Sequence, residues 1–325
     1  MITMQPIRIS KIILPTRSQP DTIVAIFILK KLGLELFPGA DVATVEIWQE
    51  VPEGETEQSL LGKGALLIDV GGGTFDHHNK TPKTTASKLV STHLGVDKEP
   101  ELQKLLAYAE RDDFFGKGTV SEDPLDRAFG LSALITNVSK DHPRDPDKAV
   151  NIILPILLAH YNEEVRRTKE IPEEFEKIKE RGEADIFTAR QNDKNLRAVI
   201  LRSDNPSMAG YLRSQNGGRF DVVAQALSSG HINILTRPTK RVELRAVAMI
   251  VRLEESTKRG KQFEADEYYL TSSGRIKEVP EWYYDRATNS LQNGGLNPKT
   301  IEPTKIPLEE FKNILMVGLA KTRWS

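Results

Sequence analysis

Residues 66–80, LLIDVGGGTFDHHNK, constrain the fold of this chain more than any other stretch. An apolar run, Ala65–Ile68, is short enough for a buried strand and ends in Asp69, followed by three glycines. Periodicity and breaker residues together predict a strand that runs into a flexible turn. Asp69 is then placed at the carboxyl end of a strand, the edge at which open α/β sheets hold their ligands. Seven residues later Asp76-His77-His78 adds another carboxylate and two imidazoles, so two of the six histidines in the chain are adjacent here. Carboxylate plus imidazole suits a divalent transition metal such as Mn, Fe or Zn better than Ca or Mg.

The flanking sequence repeats the strand-and-helix alternation. Ile7–Leu14 reads as a strand, followed by a turn over Pro15–Pro20. Asp21 is expected to cap an apolar helix that runs through Leu32 and stops at Gly33. Val42–Trp48 alternates like a strand. Thr84–Leu94, Leu102–Glu110, Leu125–Val138 and Ala149–Lys169 carry helical spacing, with Pro155 expected to kink or divide the last. Strands separated by helices imply a parallel sheet. Ile171–Arg190 is charge-rich and reads as an exposed connecting helix. Beyond it Arg197–Leu201, Phe220–Leu227, His231–Thr236 and Leu244–Leu253 are strand-like, and Leu308–Lys321 is a closing helix. The expected fold is α/β: an N-terminal parallel-sheet domain with flanking helices (1–170), a connecting segment (171–195) and a smaller α+β C-terminal domain (196–325).

Composition narrows the function classes without choosing one. At 325 residues there is room for two domains, and 38% hydrophobic with 28% charged residues describes a globular chain. A formal net charge of −1 gives no general attraction to nucleic acid, which argues against processive action on long strands. The chain has no cysteine, which excludes thiolate metal sites, disulfides and cysteine nucleophiles. No segment has the apolar length of a signal peptide or membrane span, so a cytoplasmic location and no membrane partner are expected.

ValGlyGlyGlyThrPheAsp (70–76) is similar to the second phosphate loop of actin-like ATPases. Those proteins need an earlier Asp-x-Gly-Thr loop on the first strand, and LeuProThrArgSerGlnProAsp (14–21) does not supply it. The fuller match is to the DHH phosphoesterase superfamily, and within it to the melanocyte-proliferating-gene family of metal-dependent exonuclease-like proteins. Asp69 resembles its second motif, Asp76-His77-His78 the third, and ThrAlaSerLysLeuVal (85–90) the helix start after the triplet. GluArgAspAspPhePheGlyLysGly (110–118) resembles the fourth motif. The first motif, His-x-x-Pro-Asp-x-Asp, is matched only by Pro20 and Asp21, with Arg17 and Ile23 in place of the His and second Asp.

This resemblance implies an N-terminal domain of DHH type that hydrolyses a phosphodiester with a metal-activated water. Asp21 and Asp69 would remain for a first metal, and Asp69, His77 and Asp112 or Asp113 for a second, which favours one ion over two. Manganese is expected first, with Mg, Fe or Zn as alternatives. His78 would contact phosphoryl oxygens, and Asp76 would orient a histidine. Arg17 would clamp charge, and Ile23 has the spacing of a core residue. The C-terminal domain would bind substrate through Gly230-His231, Gly294-Gly295 and Arg237, with Arg202, Arg213 and Arg219 as further cations. Trp282-Tyr283-Tyr284 would stack a base or fill the core, and His93, His142 and His160 are expected to be structural. The partners implied are a nucleotide or short oligonucleotide and a second copy of the chain. The alternative is a degenerate relative that binds such a ligand without hydrolysing it.

Overall fold

The computed structural model describes residues 5–15, 18–116, 121–294 and 300–320. Two compact units divide the chain, Met1–Arg166 and Arg167–Ser325, so the second is nearly as long as the first rather than distinctly smaller. Each has its own sheet.

The first unit is built on three parallel strands, β1 (Lys11–Leu14), β2 (Thr44–Ile47) and β3 (Ala65–Leu67), in the order β2-β1-β3. Lys11 pairs with Thr44 on one side and with Ala65 on the other. Side chains alternate across the sheet. Ile12 and Leu14 enter a core with helix α1 (Pro20–Leu32), while Ile13 and Leu67 pack beneath α2 (Glu57–Gly62) with Leu60 and Val70. The main core continues into α3 (Ala86–His93), α4 (Gln103–Phe115), α6 (Leu131–Asp141) and α7 (Pro146–Val165), with α5 (Pro124–Phe129) beside α6. Burying both faces of a parallel sheet explains why its strands read as apolar runs.

Two local expectations differ here. Helix α1 is capped by Gln19, whose partner is Thr22, and not by Asp21. Helix α7 continues through Pro155 unbroken, with Ile153 and Leu157 buried on either side of it. The apolar packing of that face offsets the backbone hydrogen bond that proline removes.

The second unit holds a six-stranded sheet of order β4-β5-β6-β7-β9-β8, from β4 (Ala184–Gln191), β5 (Lys194–Arg202), β6 (Val222–Ala226), β7 (Ile232–Thr236), β8 (Trp282–Asp285) and β9 (Ser290–Asn293). Only β5 and β6 run parallel. Helices α8 (Ile171–Glu180) and α9 (Met208–Arg213) cover one face, where Ile171, Phe175 and Ile178 meet Phe220 and Val223. Helices α10 (Arg245–Lys258) and α12 (Phe311–Ala320) cover the other, and α11 (Glu267–Leu270) joins the same core. A π-helical turn at Arg166–Glu170 precedes α8.

The segment 171–195 is therefore no separate connector. Its helix stops at Glu180, and residues 184–191 form an edge strand of the second sheet. Leu244–Leu253, expected as a strand, lies in α10 instead. A short apolar run cannot by itself separate strand from buried helix, and Val247, Val251 and Glu255 share a buried stripe at helical spacing. No helix among the described residues is long and apolar enough to cross a membrane.

Candidate metal centre

The parallel pair β1–β3 brings two acids to one edge: Asp69 follows the end of β3, and Asp21 stands in the first turn of α1, the helix after β1. Asp69 adopts φ 61°, a left-handed conformation uncommon for a residue with a Cβ and most tolerable in Asn or Asp. Its amide donates to Phe75 O at 3.1 Å, which closes the loop. The buried Phe75 ring, packed against Phe37 and His93, anchors that closure. Glycine is required at 71, where φ is +75° and a Cβ would meet Val51 at 2.6 Å. At 73 a Cβ would strike the Glu57 carboxylate.

The tight loop returns both histidines to Asp69. His77 Nε2 lies 2.9 Å and His78 Nδ1 3.3 Å from Asp69 Oδ1. Beyond these two rings, buried Asp69 Oδ1 has no hydrogen-bond partner among the described residues. The two rings stack at 4.7 Å. Asp69, His77 and His78 each bring one ligand atom within 4.8 Å of the others, a group that can hold a metal ion. The His77 side chain is only 9% exposed, whereas His78 is 61% exposed.

Carboxylates surround His77. Asp21 Oδ2 is 3.9 Å from Nε2, and Asp113 Oδ2 is 3.8 Å from Nδ1. Contact with Asp69 comes first and outweighs burial; with the charges of Asp21 and Asp113 it raises the imidazole to about 9. In metal-free protein a proton thus stands where the site attracts a cation. Asp76 performs a parallel service for His78: its Oδ1 meets His78 Nδ1 at 2.8 Å and accepts from the His78 amide, while Oδ2 accepts from Gly72 N–H at 2.8 Å. Burial would raise the Asp76 carboxyl, but these hydrogen bonds hold it below the ordinary range. A carboxylate on one imidazole nitrogen fixes the ring and leaves the other nitrogen for a ligand.

The remaining candidates separate cleanly. Asp21 accepts the Ala86 and Ser87 amides at 2.7 and 2.9 Å, closing the N-terminus of α3, where a negative charge is favoured. Its carboxyl is raised by burial, against the lowering by those bonds. Of the two acids on α4, Asp113 approaches His77, whereas Asp112 is buried and its charge, after burial, helps push the Tyr108 phenol up. His78, expected to contact only phosphoryl oxygens, stands within the ligand group. Ile23 is fully buried in the core. Arg17 lies outside the described residues.

The glycine amides do not form a phosphate cradle of the actin-like kind. Gly72 N–H is taken by Asp76, and Thr74 N–H by Glu57 Oε1 at 2.7 Å, which also places a carboxylate where phosphate would sit. Glu57, which straps the loop to α2, was not signalled by the sequence; it is an ordinary surface-type residue sixteen positions away from the glycines it meets.

The expected substrate residues of the second unit are engaged in holding it together. His231 is buried, with Nε2 donating to Ile301 O at 2.8 Å and Nδ1 paired with Ser229 Oγ at 3.0 Å. Both ring nitrogens are satisfied, so neither is available to phosphate. Gly230 has φ +81° and faces Pro303, and Gly294 has φ 82°, so both serve turns. Gly295 lies outside the described residues. Arg237 is paired with Asp221. Trp282 and Tyr284 are core residues, and Tyr283 is exposed.

No protein-family model, curated protein or solved structure matches this chain.

Proposed function

We propose that this chain is a metal-dependent phosphoesterase of the DHH type, cleaving a phosphodiester in a short oligonucleotide or small nucleotide. The observation that supports it is the convergence of Asp69, His77 and His78, with Asp21 and Asp113 beside His77. An O/N donor set of this kind fits Mn, Fe or Zn, with manganese the first choice. The bound ion would supply an activated water near neutral pH and neutralise charge that develops on the phosphoryl group.

The protein's own part is to position the donors. His77 yields its proton on binding, and Asp113 beside its other nitrogen steadies the ring. Asp76 and Asp69 both reach Nδ1 of His78, which holds the half-exposed ring beside the site, with Nε2 left for the ion or a phosphoryl oxygen once Asp69 turns to the ion. Asp21, engaged by the α3 amides, and Ile23, sealed in the core, leave little for a second ion. One ion rather than two follows.

Hydrolysis of bis-p-nitrophenyl phosphate and of a dinucleotide with added Mn tests the proposal. Turnover that is abolished in His77→Ala supports it. A metal-loaded protein that binds the dinucleotide and leaves it intact would instead support binding without catalysis, the alternative that the lost first-motif ligands favour.

A further inference from the structure

The second unit contains a cavity of about 620 Å³ where the end of β7 meets β9 and the turn before it. Arg213 and Arg241 line it, and no carboxylate does. Arg213 is half-buried; its Nε donates to Ala209 O at 3.0 Å and its Nη1 to Thr236 O at 2.7 Å. Both partners are neutral carbonyls, so the cation is fixed in place without being neutralised. Arg241 makes no side-chain hydrogen bond or ion pair among the described residues.

Several other arginines of this unit are neutralised, although Arg190, Arg197 and Arg275 also donate to backbone carbonyls. Arg237 pairs with Asp221, Arg245 with Glu243, and Arg259 with Glu255. Arg252 meets only carbonyls, of Leu270, Ser272 and Gly274, but it is sealed in the interior. At Arg213 and Arg241 two guanidiniums without a carboxylate partner share an open cavity. The rest of the lining is neutral and hydrogen-bonding, including Thr288, Asn289 and Gln292. Arg241 and Asn289, which flank the cavity, hold φ 48° and 46°, left-handed strain of the kind that collects at ligand sites.

We propose that this cavity binds a small phosphorylated, hydroxyl-bearing ligand, with Arg213 and Arg241 gripping the phosphate. Two guanidiniums match a phosphate dianion in charge, and Nη2 of Arg213 is not taken by the carbonyls that hold the rest of that group. The hydroxyl and amide lining matches a sugar, and the volume is in the range of sites for molecules of that size. The cavity shares no residue with the metal group, and lies at the opposite end of β7 from Gly230-His231.

The test is calorimetric titration of the metal-free full chain with ribose 5-phosphate, ribose and citrate. Ribose 5-phosphate binds, ribose does not, and citrate is at least about tenfold weaker. Arg241→Gln weakens ribose 5-phosphate about tenfold or more, as expected for a lost charge-assisted contact, with the melting temperature of the free protein unchanged because that side chain has no partner. Arg213→Lys, which keeps the charge but loses the fork, weakens binding without abolishing it. Absence of ribose 5-phosphate binding, equal affinity for ribose or citrate, or an Arg241→Gln affinity equal to that of the parent chain overturns the proposal. With metal absent and different residues involved, that failure leaves the metal centre untouched.

Discussion

His77 and His231 are both histidines with enclosed side chains in segments that follow a glycine turn, yet their ring atoms meet opposite surroundings. At His231 one nitrogen donates to a backbone carbonyl and the other is paired with a hydroxyl, so both ring nitrogens are satisfied. At His77 the ring faces Asp69, Asp21 and Asp113. A fold-holding histidine closes its hydrogen bonds, because an unpaired buried polar atom costs about 1–3 kcal/mol. Gathering three carboxylates around one imidazole, one of them on a left-handed residue, therefore points to a cation that is not part of the chain.

Four experiments sharpen or break this contrast. The largest effect is expected on metal affinity: Asp69→Asn and His77→Ala each weaken Mn binding by more than about 100-fold, while His231→Ala leaves it unchanged, as read by titration of the metal-stripped chain. Asp76→Asn, which only loosens the grip on His78, costs about 10–100-fold in the same measurement. Stability should move the other way. His231→Ala destabilises the second unit by about 2–3 kcal/mol in denaturant unfolding, having lost two buried hydrogen bonds. His77→Ala in metal-free protein, measured above pH 9 where the raised imidazole has lost its proton, costs less than that, and His231→Ala costing less than His77→Ala there would contradict the distinction.

The smallest effect is in pH. In metal-free protein the folded His77 titrates near 9, above its ordinary 6.5. Its contribution to stability is thus fully present below pH 6.5 and lost as pH rises through about 9. His93 has the opposite sign, since burial lowers it, and its contribution is lost as pH falls below the ordinary 6.5. Chemical denaturation from pH 6 to 9.5 should show the first slope in the parent chain and not in His77→Ala.

The strand-end Asp69, the glycine turn and the histidine pair were legible because they are local: one strand, one tight turn and a few residues of spacing set them. What could not be read is what distant segments bring. Asp21 lies next to a helix start and resembles its cap, but its carboxylate reaches across to Ala86 and Ser87, a pairing that no periodicity encodes. Asp112 and Asp113 are adjacent, and only the rotation of α4 decides that the second approaches His77. Likewise 244–253 has the composition of a strand, and its helical state depends on which stripe the sheet and α12 bury. Arg213 and Arg241 are separated by two strands' worth of chain, so their shared cavity is a tertiary fact.

Asp69, His77 and His78 form the group proposed to hold a divalent metal. Crystals of the full chain grown or soaked with Mn, measured for anomalous scattering, test it most directly. A single strong anomalous peak in contact with Asp69 Oδ1, His77 and His78 is the predicted result. A well-ordered loop with no peak, or a peak held by other residues, would contradict it.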